Sequence, residues 1–112
     1  MENFQQRWNK VEQSLKERFD KVPDIEGILF LIGVNELGKE QKKFTKEQKQ
    51  DLMHIAVCTL LSQLGYYTCI GKDADGWPHF EELLPVPAKG LQEQELMLKE
   101  CIIRYMEAGV DN

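Results

Sequence analysis

Between Thr45 and Gly65 the chain carries Leu52, Met53, Ile55, Ala56, Val57, Leu60, Leu61 and Leu64. Wound at about 3.6 residues per turn, these side chains cover well over half the circumference of a helix. A helix that apolar must be covered on several sides, so the remaining elements have to be arranged around it. Its limits can be read locally. Thr45 followed three residues later by Gln48 is a capping-box pattern, and Gly65 supplies a stop, so a third helix is predicted from about Lys46 to Leu64 as the spine of the fold.

The elements before it follow from the same periodicity. Phe4, Trp8, Val11, Leu15 and Phe19 recur at steps of four and three and make one apolar stripe, which predicts a first helix ending near Val22, ahead of Pro23. Asp24 caps a second helix in which Ile25, Ile28, Leu29, Ile32 and Leu37 face inward and Gly38 ends the run. A strand competes for "ILFLIGV", but "VNELG" continues without a turn signal, which favours helix.

After Gly65 the pattern changes. "YYTCI" is aromatic and β-branched, "KDADG" is turn-like and "HFEELLPV" returns, which predicts a β-hairpin. Beyond Pro85 and Pro87 a fourth helix runs from roughly Leu91 to Glu107. Its stripe is Leu91, Leu98, Ile102 and Tyr105, widened by Met97, Cys101 and Met106, and Gly109 marks its end. The expected fold is mostly α in the α+β class: four helices with a β-hairpin between helices 3 and 4, as a single domain over 1–112. A chain of 112 residues with 42% hydrophobic and 29% charged residues has the composition for one packed core.

Charge and cysteines restrict the functions. The net charge of -5 opposes nonspecific attraction to phosphate backbones, so nucleic acid is a disfavoured partner. Cys58, Cys69 and Cys101 are odd in number and lack CxxC spacing, and each reads as a reduced thiol acting as a buried small hydrophobe in a cytoplasmic protein. The start "MENFQQRWNK" is polar and amphipathic, unlike a signal peptide. The longest apolar run, "GILFLIGV", is far short of the roughly 20 residues of a membrane helix.

The stretch "GKDADGWPHFEE" partly matches a calcium loop. Placing Gly76 at the glycine position sets Asp73, Asp75 and Glu82 at ligand positions. The same alignment puts Gly71 where the first carboxylate belongs and Pro78 where paired loops exchange backbone hydrogen bonds, and "ELLPVP" cannot form the following helix. A three-residue hairpin loop with a bulge explains the residues better, with Asp73 bonding to the backbone ahead and Gly76 at positive φ. This turn sets Asp73 opposite Trp77, Gly71 opposite His79, Ile70 opposite Phe80, Cys69 opposite Glu81 and Tyr67 opposite Leu83. One face then holds Tyr66, Ile70, Phe80 and Leu84 for the core. The other presents Tyr67, Cys69, Asp73, Trp77, His79 and Glu81.

Three other constellations carry chemistry. Asp51, His54 and Cys58 lie at steps of three and four on the third helix and could face one metal ion, although a lone carboxylate-x-x-His pair also reads as a helix start, a partly exposed histidine and a buried cysteine. Cys69 and His79 share a hairpin face, but as nucleophile and base they lack an identifiable oxyanion hole or orienting group. The run "KEQKKFTKEQK", Lys39 to Lys49, is lysine-rich. Helices followed by a wing over roughly 24–84 resemble winged-helix DNA binders in architecture, without a specific motif. That resemblance implies a polar recognition helix, whereas this third helix is mostly apolar beyond its first turn.

The sequence therefore points to a small cytosolic, non-enzymatic protein–protein interaction module. Tyr67, Asp73, Trp77, His79 and Glu81 are its partner-binding residues, because a Trp, Tyr and His cluster beside acids offers contact area with polar anchors. The competing expectation for Trp77 is that it folds onto the fourth helix as core. The partner is a protein, with a second copy of the chain as one form of it. No catalytic residue and no cofactor are expected. The alternatives are a winged-helix-like nucleic-acid binder using Lys39–Lys49 and a small metal-binding protein using Asp51, His54 and Cys58.

Overall fold

The computed structural model describes residues 2–39, 43–87 and 90–108. It contains α1 (Phe4–Phe19), α2 (Ile25–Leu37), α3 (Lys46–Ser62), β1 (Tyr67–Lys72), β2 (Pro78–Glu82) and α4 (Gly90–Glu107). This is the expected order of four helices with an antiparallel hairpin between the third and fourth. The elements divide into two compact units, Met1–Pro23 with Pro87–Asn112, and Asp24–Val86.

The first unit pairs α1 with α4. Asn3 starts α1 by accepting a hydrogen bond from the Gln6 amide at 2.9 Å, while the Gln6 side chain accepts from the Asn3 amide at 3.0 Å. The helix stops at Phe19, earlier than Pro23 alone requires, because Asp20 takes the left-handed conformation at φ 66°. Aspartate tolerates that conformation better than most residues. Trp8, Val11 and Leu15 of the expected stripe are buried, whereas Phe19 at its end is exposed.

On α4, Cys101, Ile102, Ile103 and Tyr105 are buried and Met97, Leu98 and Met106 half-buried. The Leu91 side chain and Gly109, both assigned roles from the sequence, lie outside the described residues. Arg7 joins the two helices. Its guanidinium donates two hydrogen bonds to the Glu107 carboxylate, at 2.9 and 3.2 Å, and one to Glu100 at 3.2 Å. That contact holds the Glu107 carboxyl below its usual range, and the Lys99 ammonium lies 5.2 Å from the centre of the Trp8 ring.

The second unit is built on α3. Asp24 caps α2 by accepting from the Gly27 amide at 2.8 Å, and Gly38 ends it in the left-handed region at φ 69°. Thr45 and Gln48 form the expected reciprocal cap of α3, at 3.1 and 2.9 Å. Of the residues that the apolar pattern selects, Ile28, Leu29, Ile32 and Leu37 on α2 and Leu52, Ile55, Ala56, Leu60 and Leu61 on α3 are buried, while Ile25, Met53, Val57 and Leu64 are half-buried. The two helices approach closely at Gly33, where a Cβ would collide with the carbonyl of Leu52 and sit 2.9 Å from its Cβ. Burial of a leucine such as Leu60 contributes about 1.5–3 kcal/mol.

The hairpin differs from expectation beyond its turn. Gly71 pairs with His79 as expected, but Cys69 faces Phe80, Thr68 faces Glu81 and Tyr67 faces Glu82. The register slips by one between Cys69 and Gly71, leaving Ile70 as an extra residue. Gly71 permits this, since its φ of 124° is open to glycine and strained for other residues. The inward set of Tyr66, Ile70, Phe80 and Leu84 is therefore broken. Tyr66 and Phe80 are half-buried, while Ile70 and Leu84 are 62% and 55% exposed.

Candidate functional site

Asp51, His54, Ile55 and Cys58 recur along α3 at steps of three, one and three, which keeps them on one face. A short turn follows the helix: Gly65, at φ 86°, donates to the Ser62 carbonyl and Tyr66 donates to the Leu61 carbonyl. The chain therefore returns at once as β1, and the hairpin lies over this face of α3. Between them is an open cavity of about 350 Å³, lined from α3 by those four residues and from the hairpin by Tyr67, Asp73, Trp77, Pro78, His79 and Phe80. Both histidines of the chain border it.

The tight turn organises the hairpin side. The Asp73 amide donates to the Trp77 carbonyl and the Gly76 amide to the Asp73 carbonyl, each at 3.0 Å, with Gly76 at φ 86°. One oxygen of the Asp73 side chain, Oδ1, accepts from the amides of Asp75 at 2.9 Å and Trp77 at 3.0 Å. The other, Oδ2, lies 2.9 Å from His79 Nε2. The His79 contact, followed by the Trp77 amide, holds the Asp73 carboxyl below its usual range. Asp73 thus fixes Trp77 at the backbone and His79 at the ring.

Of the five residues singled out on the hairpin, Tyr67, Asp73, Trp77 and His79 come together at the cavity, and Glu81 does not line it. Trp77 is half-buried in the cavity wall. The Tyr67 hydroxyl contacts Glu82 Oε2 at 3.5 Å, and its pKa is raised by desolvation first, then by Glu82 and Cys58.

Of the other constellations, Asp51, His54 and Cys58 line the cavity together, whereas Cys69 and His79 do not pair. Cys58 Sγ lies 3.6 Å from His54 Nε2, and burial pushes its thiol pKa up, which favours the protonated form. Among the described residues no group of three or more His, Cys, Asp or Glu is arranged to hold a metal ion. Cys58 and Cys101 are buried as expected, but Cys69 is exposed rather than buried; its Sγ lies 3.8 Å from the Gly71 carbonyl and His79 turns to Asp73, so the two do not meet as nucleophile and base. Lys39, Lys43, Lys46 and Lys49 are exposed, and Lys42 lies outside the described residues. Among the described residues, no helix is long and apolar enough to cross a membrane.

Sequence reasoning located each half of this cavity without joining them. Phe80, assigned there to the core, lines it, as do Ile55 and Pro78. A usable signal lay in the brevity of the Gly65 turn, which leaves β1 little choice but to return along the helix face bearing Asp51, His54 and Cys58. Compared with protein-family models, curated proteins and solved structures, the chain matches none.

Proposed function

We propose that this protein is a non-enzymatic protein-interaction module whose contact surface is the hairpin and the adjoining face of α3, centred on Trp77. The observation that carries this reading is the gathering of Tyr67, Asp73, Trp77 and His79 around one open cavity. Aromatic side chains with polar tips, held in a depression by a rigid turn, are the usual anchors of protein interfaces. Ile70, Leu83 and Leu84, each more than half exposed, extend the apolar area along the hairpin. Glu81, exposed on β2 outside the cavity, adds a negative charge to the same hairpin. A nucleophilic site is less well supported, because burial favours the protonated Cys58 thiol and Cys69 stands apart from His79.

Trp77→Ala tests the reading in the intact 112-residue chain. Loss of an interface anchor worth about 2 kcal/mol reduces equilibrium partner binding roughly thirtyfold, while the melting temperature shifts little. Quantitative affinity capture and thermal melting measure the two effects. Light scattering of the untagged chain identifies a second copy as the partner. A large fall in melting temperature with undiminished capture by the folded fraction assigns Trp77 to the core and sinks the proposal.

A further inference from the structure

We propose that the cavity between α3 and the hairpin receives a basic side chain, lysine or arginine, presented by the protein partner. This deepens the interaction reading above and rests on it. The cavity is graded from floor to rim. Ile55, Cys58 and Pro78 are buried, Trp77 is half-buried, and Asp51 is exposed. An apolar floor beneath a polar rim of Asp51, Asp73, His54 and His79, in which Asp51 is the carboxylate unengaged by other described residues, matches a side chain with a hydrocarbon stem and a cationic head, which is how lysine and arginine distribute themselves at surfaces.

The two carboxylates at the rim are not equivalent. Asp73 is engaged by His79 and by the turn amides. Asp51 makes no ion pair with another described residue, so its charge is available to a ligand. The Trp77 ring in the same wall adds attraction for a cation placed over its face. A carboxylate ligand would meet Asp51 with like charge. A purely apolar one would desolvate Asp51 without pairing it, which is unfavourable. The chain's net charge of -5 favours approach of a basic partner.

The test uses the intact, isotope-labelled protein and four small probes: the N-acetyl methylamides of lysine, arginine, norleucine and glutamate. The Trp77 indole N–H reports the cavity, and that of buried Trp8 serves as an internal reference. Ligands of this size bind with Kd on the order of 1 mM. Both basic probes are expected to shift the Trp77 signal saturably and leave Trp8 still. Norleucine, which keeps the stem without the charge, binds at least about fivefold more weakly. Asp51→Asn weakens the basic probes about two- to fivefold, and added salt does the same.

Equal binding of norleucine and lysine overturns the basic occupant, as does an unmoved Trp77 signal at concentrations well above that Kd. Either result leaves the interaction surface to be decided by Trp77→Ala, so the two ideas fail separately.

Discussion

Asp73 shows how one side chain carries a local structure. Its carboxylate accepts two turn amides and meets the His79 ring, so removing it releases three contacts together. Asp73→Ala is expected to speed hydrogen exchange at the Asp75 and Trp77 amides while leaving α1 and α4 amides unchanged. Unaltered exchange at Trp77 would refute this role. The pH dependence has a definite sign. The folded carboxyl is held below its unfolded pKa, so its stabilisation is complete above the unfolded value and is lost as pH falls through the lower folded one. Protection of the Trp77 amide should therefore persist through the ordinary carboxylate range and fail below it, a profile that exchange measured against pH reads directly.

At the scale of elements, the close crossing of α2 and α3 depends on Gly33. Gly33→Ala should destabilise the protein by about 1–3 kcal/mol, read from chemical denaturation, because the obstructing atoms are backbone and Cβ atoms of Leu52 rather than a mobile side-chain tip. An unchanged midpoint would mean that the helices separate freely. The helices themselves were legible in the sequence because their signals are local: Asp24 and Gly38 bracket α2, and Thr45 with Gln48 starts α3. Gly33 was not, since a glycine inside a helix shows no trace of the neighbour that needs it. The hairpin turn was equally legible from "DADG", but the slip at Ile70 was not. It depends on how Gly71 is twisted once the strands pair, and that choice decided which residues left the core. The cavity required knowing that the hairpin lies over α3, a long-range fact visible only through the length of the Gly65 turn.

At the scale of the whole chain, Arg7 binds Glu100 and Glu107, so residues near the two ends of the sequence are held in one unit. Arg7→Ala is expected to lower the melting temperature, with the difference from wild type shrinking in high salt and in acid. The acid effect follows because the Glu107 carboxyl is held below its unfolded pKa and its contribution disappears as pH falls through that depressed value. A difference independent of both salt and pH would assign Arg7 a packing role instead. The extra residue at Ile70 has its own consequence for how molecules can meet. A short strand interrupted by a bulge and a positive-φ glycine is a poor template for another extended chain, because its outward amides and carbonyls fall out of step. Continuous strand addition across β1 is thereby discouraged, and with it the open-ended stacking of copies that a smooth edge invites. In the proposed interaction, side chains rather than a strand edge are the contact, so a partner would have to fit a shape and a charge rather than merely extend a ladder.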